Sequence, residues 1–156
     1  MYKKNHIIYL AGILDGEGWF SIQRVRREGS RSTSYSPTIG VANTNKALID
    51  WLLNNFDGNF QERKPHPNQY GRKLRYEWKL NWTKSKDLLP KIIPFLICKK
   101  EQAKILIEIG KLNSVKYRHC GVPKHISEKK ETLYLMLRKL NNTHHKILSL
   151  LNLVKE

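Results

Sequence analysis

Apolar and polar positions follow two different periods along the chain, and each change of period marks the border of a predicted element. Apolar residues at 7–14 recur at the spacing of one helix face, after Asn5, a residue type that often caps helices. Gly16 and Gly18 end this helix. From Phe20 onwards the period is two, which predicts a strand. The chain therefore begins with a helix followed by a strand.

A second helix and three more strands are predicted next. Alternation resumes at about Tyr35 in a second strand, after a polar loop. Thr44 or Asn45 caps a second helix, which the turn signal Asp57-Gly58 ends. Two further strands follow at about 59–64 and 70–82, on either side of a proline-rich loop. This order of helices and hairpins predicts an α+β fold.

The last third of the chain is predicted to be helical. Residues 85–97 form a helical piece that Pro90 and Pro94 interrupt, because each proline removes a backbone donor. A regular helix follows at 99–112, and Ser127 caps one or two closing helices. We expect a single domain over residues 1–156, with a core at about 5–112 and a helical extension at about 113–156.

The predicted strands have one apolar face and one polar face. If the apolar face covers the helices, the polar face meets solvent or a ligand. Its side chains include types that can contact base edges in the DNA major groove or bind phosphates. The residues predicted to bind DNA on this face are Ser21, Gln23, Ser36, Thr38, Gln61, Arg63, Lys73, Arg75, Glu77 and Lys79.

Charge strengthens the nucleic-acid hypothesis. The chain has 29 Lys and Arg against 13 Asp and Glu, a formal net charge of +16. A compact body with this excess usually has a polyanionic partner, although a solvated basic surface is the alternative. No apolar run approaches the ~20 residues that span a bilayer, which argues against a membrane. Four arginines in the first loop are predicted to contact flanking phosphates or bases: Arg24, Arg26, Arg27 and Arg31.

The end of the first helix carries the candidate chemistry. Residues 10–18 read LAGILDGEG, with Gly12 and Gly16 one turn apart on one face. Two such helices could pack with their backbones close together, which would bring their Glu17 carboxylates near each other. Two neighbouring carboxylates repel unless a cation lies between them. The segment therefore indicates a paired helix and a divalent metal site.

These nine residues closely resemble the motif of the LAGLIDADG homing endonucleases. The resemblance implies an αββαββα fold whose four antiparallel strands form a saddle over the DNA major groove. Because only one motif is present, it also implies a homodimer with the motif helices at the interface. The interface residues that it implies are Leu10, Ala11, Gly12, Leu14, Asp15 and Gly16.

The resemblance also implies roles for individual residues. Glu17 and the backbone carbonyl of Gly16 would bind Mg²⁺, for which Mn²⁺ can substitute, although Asp is commoner at the position of Glu17. Asp15 would support the helix pair. Lys99 would stabilise charge at the cleaved phosphate. Asn45, with Asn43 as the second choice, would order water in the catalytic pocket.

The function implied is that of an intron-encoded homing endonuclease. Such an enzyme cuts both strands of double-stranded DNA at a long pseudo-palindromic site and leaves four-nucleotide 3′ overhangs. The alternatives are a maturase that binds intron RNA, a catalytically inactive nucleic-acid-binding protein of the same fold, and a basic ribosome-associated protein without chemistry. No secretion or transit signal is found, which predicts an intracellular protein, in a prokaryotic cytoplasm or in the organelle that encodes it.

Overall fold

A computed structural model describes residues 2–26, 28–29, 33–65, 73–115, 117 and 121–153, with residues 143–153 described by their backbone alone. The helices are α1 (Lys4–Gly16), α2 (Lys46–Phe56), α3 (Trp82–Ser85), α4 (Leu89–Ile92), α5 (Lys100–Ser114) and α6 (Lys124–Leu153). The strands are β1 (Gly18–Arg26), β2 (Thr33–Asn43), β3 (Asn59–Arg63) and β4 (Arg75–Asn81), and a 3₁₀ turn covers Ile93–Phe95.

The four strands form one antiparallel sheet in the order β1-β2-β4-β3. This arrangement confirms the predicted α+β class and the four-stranded antiparallel sheet. In the register, Gly18 lies opposite Val41, and Val41 lies opposite Trp78. The end of α1 therefore leads directly into the first residue of the edge strand β1, in the same row as Val41 and Trp78.

The hydrophobic core lies between the helices and one face of the sheet. Trp78, Phe20 and Ile39 project from three strands and are almost completely buried. Leu10 and Leu14 of α1 are also fully buried and belong to the same cluster. Because this face takes up the large apolar side chains, the opposite face of the sheet is left to polar ones.

Several element borders differ from the sequence prediction. Helix α1 begins at Lys4 with Lys3 as its N-cap, so Asn5 lies inside the helix and does not cap it. The amide oxygen of Asn45 caps α2 by accepting a hydrogen bond from the Ala47 N–H at 3.0 Å, as predicted. Ser127 lies inside α6, a single helix of 30 residues.

The C-terminal extension packs against the domain. Leu133 and Leu137 of α6 are buried in the main core. The Asn141 amide donates to the backbone oxygen of Phe20 at 3.1 Å. Within the described part of the chain, no helix combines the length and apolar character that crossing a membrane requires.

Candidate metal centre and nucleic-acid interface

The motif helix divides its small and apolar residues between two faces. Leu10, Ala11 and Leu14, which were expected at a dimer interface, are fully buried inside the chain and have no surface left for a partner. This part of the prediction is wrong. Gly12 and Gly16 lie on the opposite, exposed face, and a Cβ built on either would meet nothing within 4 Å.

Asp15 joins the end of the motif helix to the start of α5. Its carboxylate accepts hydrogen bonds from the backbone N–H groups of Ile97 at 2.7 Å, Cys98 at 3.2 Å and Lys99 at 2.9 Å. A carboxylate at this position complements the unpaired amides that precede a helix. Asp15 therefore fixes the segment before α5 against the end of the motif helix within one chain.

Lys99 is placed at the end of the motif helix by these contacts. Its ammonium donates to the backbone oxygens of Leu14 at 3.0 Å and Gly18 at 2.6 Å. Burial lowers the pKa of Lys99 from its ordinary value, while the charges of Asp15 and Glu17 oppose this shift. The structure thus brings Lys99 into electrostatic range of Glu17, although the two residues are far apart in sequence.

Glu17 has a different environment from Asp15. It is the C-cap of α1, its backbone N–H donates to Ile13 O at 2.8 Å, and its side chain is exposed. Among the described residues, none donates a hydrogen bond to its carboxylate. In the described part of the chain, the Glu17 carboxylate is therefore exposed and without a hydrogen-bond donor.

The two asparagines proposed to order water are both engaged in the turn between β2 and α2. The Asn45 amide oxygen caps α2, and the Asn43 amide oxygen accepts the Asn45 N–H at 2.8 Å. Asn43 ends β2 two residues after Val41, the partner of Gly18. Asn43 is thus the nearer of the two to Glu17 along the sheet, and Asn45 has a structural role.

An apolar surface surrounds the exposed glycines of the motif helix. Ile8 and Tyr9 of α1 are 43% and 55% exposed, and Ile97, whose N–H binds Asp15, is 88% exposed. The apolar pattern at 7–14 predicted one helix face, but Ile8 lies outside the buried face. The signal was ambiguous, because an apolar residue on both sides of one helix gives no indication of which side faces a partner.

The polar face of the sheet carries the residues that were predicted to bind DNA. Ser21 and Gln23 alternate with buried residues in β1, and Ser36 alternates with them in β2. The remaining members of this face lie in β2, β3 and β4 and just before β4, and all except the buried Glu77 are partly or fully exposed: Thr38, Gln61, Arg63, Lys73, Arg75, Glu77 and Lys79.

Glu77 is buried at the centre of this face and organises the cations around it. Its carboxylate accepts from Arg63 Nε at 2.7 Å and forms an ion pair with Lys79 Nζ at 3.1 Å. Burial by itself would raise the pKa of Glu77, but the hydrogen bonds from Arg63 and Lys79 outweigh it and lower the pKa. In the free protein Glu77 is therefore an anchor for neighbouring side chains and is not available to contact a base.

Two of the four arginines that were predicted to contact DNA from the first loop, Arg24 and Arg26, lie in strand β1. Arg24 lies in β1, and its Nε is 3.2 Å from Glu131 of α6, a residue that also accepts the Tyr35 hydroxyl. This ion pair directs the charge of Arg24 to the helix side of the sheet, away from the face that was predicted to bind DNA. Arg26 is exposed at the end of β1. Arg27 and Arg31 lie outside the described residues.

Trp19 also belongs to the polar face, although it was not among the residues predicted there. Trp19 alternates with the buried Phe20 and lies opposite Gly40. A Cβ at Gly40 would lie 2.4 Å from Trp19 Cζ2, so the ring rests directly on the backbone of β2. The Lys79 ammonium lies 5.8 Å from the centre of the ring. The signal was available in the alternation of β1, where Trp19 shares the parity of Ser21.

Comparisons with known proteins agree with this architecture. No protein-family model matches the sequence, and a search of curated proteins finds no match. Among solved structures, the homing endonuclease I-CvuI in complex with the I-CreI target is similar at a TM-score of 0.68 and 20% identity, over 88% of this chain and 82% of that one.

Two further similar structures extend the comparison. The archaeal intron-encoded homing endonuclease I-Vdi141I, complexed with DNA, has a TM-score of 0.71 and 18% identity, over 87% of this chain and 84% of that one. The LAGLIDADG homing endonuclease I-GzeII, in complex with its DNA target, has a TM-score of 0.64 and 16% identity, over 86% of this chain and 44% of that one. The chain therefore has the fold of the LAGLIDADG homing endonucleases, the family that its motif resembles.

Proposed function

We propose that this protein is a homodimeric, site-specific DNA endonuclease. It hydrolyses both strands with a divalent metal, of which Mg²⁺ is the preferred one. The observation that carries the proposal is the end of α1, where the exposed Glu17 carboxylate has no hydrogen-bond donor among the described residues. It lies within electrostatic range of Lys99, whose ammonium the Leu14 and Gly18 carbonyls hold. The similar homing endonucleases that were solved with DNA support the same activity.

The exposed face of the motif helix supports a dimer. Gly12 and Gly16 leave the backbone of α1 open, and the apolar side chains of Ile8, Tyr9 and Ile97 lie around it. A second copy that packs its own α1 here would bury these residues and allow the two helices to approach closely. This arrangement would bring two Glu17 carboxylates to the same end of the paired helices.

The donor set at this end suits Mg²⁺. Hard cations of this kind prefer carboxylate and carbonyl oxygens, and Glu17 and the backbone carbonyl of Gly16 are the donors we assign to it. A divalent cation bound there would supply Lewis-acid stabilisation to the reacting phosphate. The same donors bind Mn²⁺, which we expect to support the reaction as well.

Lys99 and Asp15 prepare the site before DNA arrives. The three amides that bind Asp15 fix the segment before α5, and the Leu14 and Gly18 carbonyls hold the Lys99 ammonium. A positive charge fixed in this way stabilises negative charge that develops on a phosphate, without a cost for reorganising the group. Asn43 and Asn45, as polar groups near the strand end, are the candidates for contacting the attacking water.

The open face of the sheet supplies the DNA surface. Cations and amides line it, and the sheet continues directly from the motif helix through Gly18. A symmetric dimer presents this face twice, which favours a long pseudo-palindromic site that is cut with four-nucleotide 3′ overhangs, as the resemblance implies. An intron-encoded homing function is the corresponding biological role.

The test begins with duplexes selected by the protein from a randomised library. We expect the wild-type protein to cut a selected duplex on both strands with Mg²⁺, and Glu17→Gln to bind it within a few-fold of wild type but to leave it intact. Glu128→Gln, which removes an exposed carboxylate of α6, is the matched control and should cut normally. Cleavage by Glu17→Gln at the wild-type rate, or preference for structured RNA over every duplex, would overturn the proposal.

A further inference from the structure

We propose that a recess on the open face of the sheet recognises a thymine through its 5-methyl group, next to a guanine that Arg75 contacts. The inference rests on the proposed function, since it requires DNA on this face. The recess has a volume of about 340 Å³ and is lined by Trp19, Ala42, Arg63, Arg75 and Glu77. It differs from the rest of this face in having an apolar half and a cationic half.

Trp19 and Ala42 form the apolar half. The indole lies on the backbone of Gly40, where only glycine leaves room for it, and the ring is half-buried. Ala42 follows two residues later in β2, on the same face, and is also half-buried. The two side chains leave apolar surface open in the middle of a polar sheet face.

Only one base offers an apolar group to such a surface. In the major groove, guanine, cytosine and adenine present hydrogen-bonding groups, whereas thymine adds a 5-methyl group. The face of an indole ring and a methyl group offer no hydrogen bond to a base edge, since the indole N–H lies in the plane of the ring, but they bury a methyl well. The apolar half therefore matches thymine.

Arginines form the cationic half, and they are not equivalent. Arg63 is bound to Glu77, which also pairs with Lys79. Arg75 lies opposite Arg63 in the register and is exposed, and no described residue forms an ion pair or hydrogen bond with it. An exposed guanidinium without a partner among the described residues suits the O6 and N7 acceptors of guanine, which an arginine can contact in a bidentate manner.

The position of the recess on the sheet indicates which part of the DNA target it contacts. Trp19 follows the metal-binding candidate Glu17 by two residues, so the recess lies at the end of the sheet next to the catalytic site. The thymine it contacts is therefore among the base pairs of each half-site that lie nearest to the cleaved bonds.

The experiment uses the intact protein and a duplex that it selects from a randomised library. Each thymine of one half-site is replaced in turn by deoxyuridine, which removes only the 5-methyl group. We expect about a fourfold loss of affinity at one thymine near the cleavage position, the value for burial of a single methyl-sized group. Trp19→Ala and, as a second variant, Ala42→Ser should bind the thymine duplex and the deoxyuridine duplex with equal affinity.

Val25→Ala is the matched control. Val25 is an exposed apolar residue on the same face of β1, outside the recess, so its removal should leave the methyl dependence unchanged. In Arg75→Ala, the preference for guanine at the neighbouring base pair should disappear. The inference is overturned if no thymine methyl contributes, or if Trp19→Ala and Ala42→Ser retain the full loss. If the protein selects no duplex at all from the library, the proposed function is overturned, and the thymine inference with it.

Discussion

At the scale of residues, the two acids of the motif have separate roles. Asp15 accepts three backbone N–H groups from 97–99, whereas the Glu17 carboxylate receives none from the described residues. The spacing of the two acids in sequence could not distinguish them, because the amides come from a segment more than 80 residues away. Only the resemblance to a known motif indicated which acid would be free.

Asp15→Asn should lower the free energy of unfolding by about 1–3 kcal/mol, because hydrogen bonds to a charged acceptor become weaker ones to an amide. Chemical denaturation measures this change. Asp50→Asn is the control, since Asp50 forms only an exposed ion pair with Lys46 within α2, and its loss should change stability by less than about 0.5 kcal/mol. Equal effects of the two substitutions would contradict the role given to Asp15.

Lys130 gives a prediction on pH. This lysine of α6 is buried, and burial lowers its pKa in the folded protein. The folded state therefore binds fewer protons than the unfolded chain between the lowered pKa and the ordinary value of about 10.4, so stability rises with pH in that interval. Lys130→Met should raise the melting temperature at neutral pH, and the gain should shrink as the pH approaches 10. A gain that is constant with pH would exclude this explanation.

At the scale of elements, alternation predicted the buried apolar face of β1, β2 and β4, but it did not predict the exposure of all of β3 or where strands end. The apolar positions of β4 continue to Trp82 in sequence, yet β4 ends at Asn81. The Asn81 side chain accepts the Lys84 N–H at 3.2 Å and so begins α3. A local cap therefore overrides a pattern that by itself favours a longer strand.

The extension formed by α6 is part of the domain core, and neighbouring residues on this helix allow a test. Leu137 is 2% exposed and Met136 is 51% exposed. Leu137→Ala should lower the free energy of unfolding by about 2–5 kcal/mol, since it leaves a cavity. Met136→Ala should change it by less than about 0.5 kcal/mol. A cooperative transition that is unaffected by Leu137→Ala would mean that α6 folds independently of the sheet.

At the scale of the whole molecule, a net charge of +16 and one motif per chain predicted a DNA-binding dimer, and the fold is that of enzymes solved with DNA. The interface was predicted less well. Leu10, Ala11 and Leu14 are apolar because they belong to the core of their own chain. A single sequence does not separate apolar residues that pack within a chain from those that pack between chains. The spacing of Gly12 and Gly16 did place them on one face, and the folded backbone shows that this face is open.

Cysteine cross-linking at Gly12 tests most directly whether two motif helices meet. In a background of Cys98→Ser and Cys120→Ser, Gly12→Cys places one thiol on the exposed face of each α1. A disulfide requires Cα atoms within about 7 Å, a distance that only closely packed helices reach. We predict that mild oxidation converts Gly12→Cys into a covalent dimer that still binds duplex DNA, while Lys104→Cys, on the exposed surface of α5, stays monomeric. Absence of a covalent dimer for Gly12→Cys, with a monomeric mass in solution and on DNA, would contradict the account.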